Sequence, residues 1–177
     1  MRKSILLMLS FVFIFSIIMN CGKQNEESMM KEAEKYEKEE KFDKAMIIYE
    51  KILVEFPMTN RAPEVYFKIA QLAGNLKDFD KCIDMYNRIV DTYPEHVIAP
   101  KSQFMIGYIY ANEKADTTKA KKAYSAFLQN YSDFDSGMTA SAQFELRYLG
   151  KDISQIPFLQ NLTVEEAKTS DKKAKGN

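Results

Sequence analysis

The chain predicts an all-α fold built from stacked antiparallel helix pairs, about three and a half of them in its 177 residues. Three observations lead there. The stretch DFDKCIDMYNRIVDTYP, Asp78 to Pro94, recurs 37 residues earlier as Lys41 to Pro57 and 38 residues later as Asp116 to Ser132. Each copy sets its apolar side chains at the same helical steps: Ala45, Ile48, Tyr49, Ile52, Leu53 and Phe56; Cys82, Met85, Tyr86, Ile89, Val90 and Tyr93; Ala120, Ala123, Tyr124, Phe127, Leu128 and Tyr131. Each copy is also preceded by a second amphipathic segment, so the repeating unit is a pair of helices. Self-similarity at a period of this length marks a stacked repeat architecture.

In chain order, Arg2 and Lys3 open a leader whose apolar run, Ile5 to Met19, is broken only by Ser10 and Ser16. The run is short for a membrane span, which needs about 18 to 20 apolar residues. Cys21 closes it and a polar stretch, Gly22 to Ser28, follows. This resembles a bacterial lipoprotein signal, with 1–20 removed and Cys21 carrying the lipid. Asn20 departs from that pattern, standing where a smaller residue is usual. Acyl chains contributing about 0.8 kcal/mol per buried methylene would hold such a protein at a membrane, and a seven-residue tether would keep it within about 25 Å. Gly22, rather than Asp, after the cysteine implies by the same resemblance the outer membrane, with the inner membrane as the alternative and the protein facing the periplasm.

The repeat region spans 29–150. A first helix, Met29 to Lys38, turns Met29, Met30, Ala33 and Tyr36 inward and lays Glu and Lys at i,i+3 and i,i+4 spacing outside. The first long helix stops near Phe56, because Pro57 cannot donate a backbone bond. Glu64 to Asn75 forms the next leading helix, with Tyr66, Phe67, Ile69, Ala70 and Ala73 apolar, and Lys101 to Asn112 forms the third. Ser132 stands where earlier copies have proline, so that stop is weaker. A last leading helix, Ser136 to Leu149, is expected to turn Ala140, Phe144 and Tyr148 inward and to cap the stack before Gly150. Residues 151–177 form a tail, polar and Lys-rich after Val164, that is expected to be largely disordered.

Charge and chemistry narrow the function. Lys plus Arg and Asp plus Glu both number 25, and loss of Arg2 and Lys3 leaves 23 against 25, a net of −2. So balanced a chain lacks the basic surface a nucleic-acid binder needs. After lipidation Cys82 is the remaining cysteine, at a step filled by Ala45 and Ala120 in the other copies, where a small buried residue suits a tight helix contact. His96 has no second His or Cys beside it for a metal site, and no glycine loop is placed to cradle phosphate. The reading is therefore non-enzymatic, with no cofactor, metal or small-molecule substrate. A catalytic cleft around His96 is the third choice.

The small and aromatic positions resemble the tetratricopeptide repeat pattern W-x2-L-G-x2-Y, A-x3-F, P. The third unit reads Gln103, Ile106, Gly107, Tyr110, Ala120, Tyr124 and Ser132; the second Tyr66, Ile69, Ala70, Ala73, Cys82, Tyr86 and Pro94; the first Met29, Glu32, Ala33, Tyr36, Ala45, Tyr49 and Pro57. The period exceeds the usual 34, and Ile52, Ile89 and Phe127 stand where a second Ala is common. These features look like the tetratricopeptide lipoproteins of bacterial envelopes, namely the lipoprotein subunit of the outer-membrane β-barrel assembly machinery and the Tol-Pal-associated coordinator. The resemblance implies a right-handed superhelix whose leading helices line a concave face. Mapped onto this chain, that face carries Phe67, Gln71, Asn75, Phe104, Tyr108 and Asn112, aromatics beside amides suited to an extended peptide or a partner helix of another envelope protein. Phe67 and Phe104 could equally pack between leading helices. The alternative function is a structural subunit acting through its convex face and tail.

Overall fold

The start of each helix is written in its first residues. In a computed structural model, which describes residues 25–151 and Ile156, these residues form seven α-helices and no strand. They are α1 (Glu26–Lys38), α2 (Phe42–Glu55), α3 (Ala62–Asn75), α4 (Phe79–Thr92), α5 (Ala99–Asn112), α6 (Thr117–Tyr131) and α7 (Ser136–Tyr148). The architecture is an all-α helical repeat, as the periodicity predicts. Asn25, Asp78, Asp116 and Asp135 cap α1, α4, α6 and α7, each side chain accepting a bond from the backbone N–H three residues on, at 2.8, 3.1, 2.9 and 2.7 Å. The Asn25 cap and the acidic pair Glu26 and Glu27 start α1 at Glu26, three residues before the expected Met29. Pro63 and Pro100 lie inside the first turns of α3 and α5, so both helices begin before the expected residues, in the position where a missing N–H costs nothing.

Helix ends repeat as faithfully. Within each pair the chain turns through one left-handed residue: Glu40 (φ 56°), Lys77 (φ 60°) and Ala115 (φ 50°). At the first two, crossed bonds close the turn: Lys41 N–H to Tyr36 O with Glu40 N–H to Glu37 O, and Asp78 N–H to Ala73 O with Lys77 N–H to Gly74 O. The third turn is one residue longer, which accounts for the step from 37 to 38. α2 and α4 stop before Pro57 and Pro94, with Phe56 and Tyr93 as C-caps. α6, lacking that proline, runs to Tyr131 and leaves Ser132 still helical (φ −57°, ψ −28°). The weaker stop thus lengthens the helix by one residue.

The chain divides into two compact units, up to Thr59 and from Asn60. In the first, α1 packs on α2, with Met29, Met30, Ala33, Ala45, Tyr49 and Ile52 buried. Thr59 Oγ1 donates to Glu26 Oε1 (2.6 Å), tying the end of this unit to the start of α1. In the second, α3 to α7 each pack on the next. The expected inward steps of all three long helices are buried or half-buried. Val65 and Leu72 on α3 join the core as well.

α7 departs from expectation. Its buried residue is Ala142, and Met138, Leu146 and Leu149 pack with it against the cluster of Ala120, Tyr124 and Phe127 on α6. Ala140 is exposed, Phe144 is 45% exposed, and the Phe144 and Tyr148 rings meet at a tilt of 50° with centroids 4.7 Å apart. Small Ala142 lets α7 approach α6, and the stripe four residues either side of it follows inward. Gly150 (φ 78°) closes the helix as expected. The leader, Cys21 and the tail beyond Lys151, Ile156 excepted, lie outside the described residues.

Candidate functional site

Short connections turn the chain back after each helix, so α3 and α5, separated by one antiparallel helix, run in the same direction. Between them opens a groove of about 420 Å³, within the range of ligand-sized clefts. One stripe of α3 supplies a wall: Phe67, Ala70, Gln71, Gly74 and Asn75, at i, i+3, i+4, i+7 and i+8. Lys101, Met105, Tyr108, Ile109 and the C-cap Glu113 make the other, and Phe79, Cys82 and Tyr86 of α4 lie beneath.

Four of the six expected residues meet here: Phe67, Gln71, Asn75 and Tyr108. Phe67 is half-buried, its ring edge-on to Tyr86 (5.4 Å, 61°), and Lys101 Nζ stands 5.3 Å over the Phe67 ring. Tyr108 is 42% exposed, and Gln71 and Asn75 are exposed beside the aromatics. Cys82 is buried on the floor. Desolvation, reinforced by the Asp78 charge, pushes its thiol up to about 12, so it packs rather than reacts. Desolvation likewise holds the Tyr86 phenol well above its ordinary range.

Phe104 and Asn112 do not line this groove. Phe104 lies edge-on to Tyr124 (5.3 Å) and Phe127 (5.7 Å) in the α6 cluster, and Asn112 Nδ2 donates to Tyr108 O (2.9 Å) on its own helix. Phe104 is thus a packing residue, and Phe67 serves both packing and groove. Sequence reasoning did not assign Lys101, Met105 or Glu113 to this face. Their spacing of four, eight and twelve residues along one helix was the available signal.

Two other hollows are less suited to a partner. In one, of about 480 Å³, between α4 and α6, Gln103 Nε2 is committed to Ala123 O (3.1 Å), and Lys119 Nζ to Asp116 (3.3 Å) and the Tyr110 ring. In the other, His96 Nδ1 accepts from Ile98 N–H (3.3 Å), which fixes the connector. Among the described residues no group of three or more His, Cys, Asp or Glu is placed to hold a metal ion, and no helix is long and apolar enough to cross a membrane.

Residues 64–96 and 101–133 match the tetratricopeptide repeat family model. The two spans coincide with α3–α4 and α5–α6, the helices that build the groove, and each of these pairs is similar to one tetratricopeptide repeat. The α1–α2 pair keeps their spacing but lies outside the matched spans. No curated protein matches the chain.

Proposed function

We propose that the protein is a non-enzymatic scaffold or adaptor that binds a segment of another envelope protein in the α3–α5 groove, while lipid on Cys21 holds it at the outer membrane, facing the periplasm. Outer-membrane protein assembly or envelope maintenance is the process in which such an adaptor serves. The groove reading rests on one observation: exposed Tyr108, Gln71 and Asn75 beside half-buried Phe67, on paired tetratricopeptide repeats whose ordinary use is to bind protein segments. The anchor rests on the basic start, apolar run and Cys21 of the sequence.

Two experiments test these parts separately. A photo-crosslinking residue at groove-lining Asn75 should trap a partner in cells, and adding Tyr108→Ala with Gln71→Ala should lower the yield at least severalfold at unchanged thermal stability. Equal trapping by a probe at exposed Val54, with no effect of the double variant, would exclude the groove. For the anchor, a lipid precursor should label the wild type and not Cys21→Ala. Equal membrane retention of both, without label, would exclude it.

A further inference from the structure

The groove has two unlike ends. α3 and α5 point the same way, so two helix N-termini, with their positive partial charge, stand at one end and two C-termini at the other. Lys101, in the first turn of α5, adds a positive charge at the first end, and Glu113, its C-cap, adds a negative charge at the second. Both choices oppose the dipole of their own helix, which favours acids at the start and bases at the end. Lys101 is moreover the sole charged side chain within α5. Neither Lys101 nor Glu113 has an ion-pair partner among the described residues, and both are exposed on the groove wall, whereas Lys114, next to Glu113, is held by Asp80 (2.7 Å). Placements that weaken the helix locally and meet no opposite charge within the fold, Lys101 resting on the Phe67 ring alone, are what a binding surface leaves behind.

Resting on the groove assignment above, we infer that its occupant is an extended segment with an acidic side chain at the Lys101 end, a basic side chain at the Glu113 end and an apolar side chain between them. The apolar residue sits against Met105, Tyr108 and Phe67. Twelve residues of helix separate the two charges, about 18 Å of rise, which an extended chain covers in roughly five to six residues. The acid and base in the partner are therefore four to six residues apart, the shorter spacing reflecting the reach of the long side chains. Opposed ends also reject a segment of uniform charge, since one of its ends would meet a like charge.

Selection of displayed random dodecamers on the full chain tests this. The wild type should enrich peptides with one acid and one base at that spacing around an apolar residue. Lys101→Glu should replace the acid by a second base, and Glu113→Lys the base by a second acid. A synthetic peptide from the wild-type pool should lose about threefold to fivefold in affinity on either substitution, as an exposed ion pair allows, and the difference should shrink in high salt. Apolar peptides enriched without a charge pattern, and lost in Tyr108→Ala with Gln71→Ala, would overturn the charge assignment and leave the groove assignment standing. Peptides unaffected by that double variant, or no enrichment at all, would overturn both.

Discussion

A methyl group at Gly107 would stand 2.7 Å from Cδ1 and 2.8 Å from Cε1 of Tyr124, inside the distance that carbon atoms tolerate. Tyr124 cannot step aside easily, since its ring is fully buried and wedged by Phe104. Gly107→Ala should therefore lose about 1–2 kcal/mol in urea unfolding, overpacking outweighing the roughly 1 kcal/mol that Ala gains over Gly within a helix. A more stable variant would mean that α5 and α6 can part at no cost. The same ring carries a hydroxyl with no hydrogen-bond partner among the described residues, so Tyr124→Phe should be neutral or stabilising by up to about 1 kcal/mol. The left-handed turn residues offer the opposite case. Lys77, at φ 60°, occupies the place where helices most often end in glycine, and Lys77→Gly should stabilise by about 0.5–1 kcal/mol once the greater freedom of the unfolded glycine is set against the relieved strain. A loss of stability there would show that the Lys77 side chain contributes more than its backbone costs.

At the scale of the element, α7 shows where periodicity stops being informative. Its sequence permits two apolar stripes, one through Ala140, Phe144 and Tyr148 and one through Met138, Ala142, Leu146 and Leu149. The aromatic stripe is the more hydrophobic in appearance, but contact with α6 selects the other, because Ala142 allows a close approach that aromatic rings would prevent. That choice depends on the neighbour and is not written in α7 itself. It also leaves Glu145 half-buried, and desolvation raises its carboxyl above the ordinary range. The sign follows from the shift: with the folded pKa above the unfolded value of about 4.3, folding favours the protonated form, and stability is lost as pH rises from there through the folded pKa. Glu145→Gln should raise the urea midpoint at pH 7, and the gain should vanish below about pH 4. A gain that persisted in acid would assign the effect to packing instead of charge. Asp116 runs the other way. The Lys119 backbone N–H, aided by the Lys119 side chain, holds its carboxyl below the ordinary range, so the stability this cap supplies is present at neutral pH and lost as pH falls through that lowered value.

For the whole molecule, the repeat was legible because caps, turns and stops recur at one period, each with a local cause: Asp78 and Asp116, Lys77 and Ala115, Pro57 and Pro94. The groove was legible only in part. Phe67 and Phe104 stand 37 residues apart at the same repeat step and both meet a tyrosine, but Phe104 also meets Phe127 where the preceding repeat has Ile89, and that second ring draws it into the core. Lys101 and Glu113 were not assigned to the groove from sequence, because charge near helix ends reads as solvated surface until a facing wall exists. Cys82 connects the site to global stability. It lies under the groove, 3% exposed, with its thiol pushed up to about 12, so at pH 8 only about one molecule in ten thousand would carry the reactive thiolate, against roughly a quarter in an unfolded chain at about 8.5. In the Cys21→Ser chain, reaction of Cys82 with a small disulfide reagent should be on the order of a thousandfold slower under native conditions than in urea, because labelling awaits opening of the α3–α5 region. Gly107→Ala should accelerate it in proportion to its loss of stability, if opening and global unfolding are one event. Labelling within tenfold of the unfolded rate would show instead that reagent reaches the sulfur through the groove, and its inhibition by a bound peptide would then report occupancy directly.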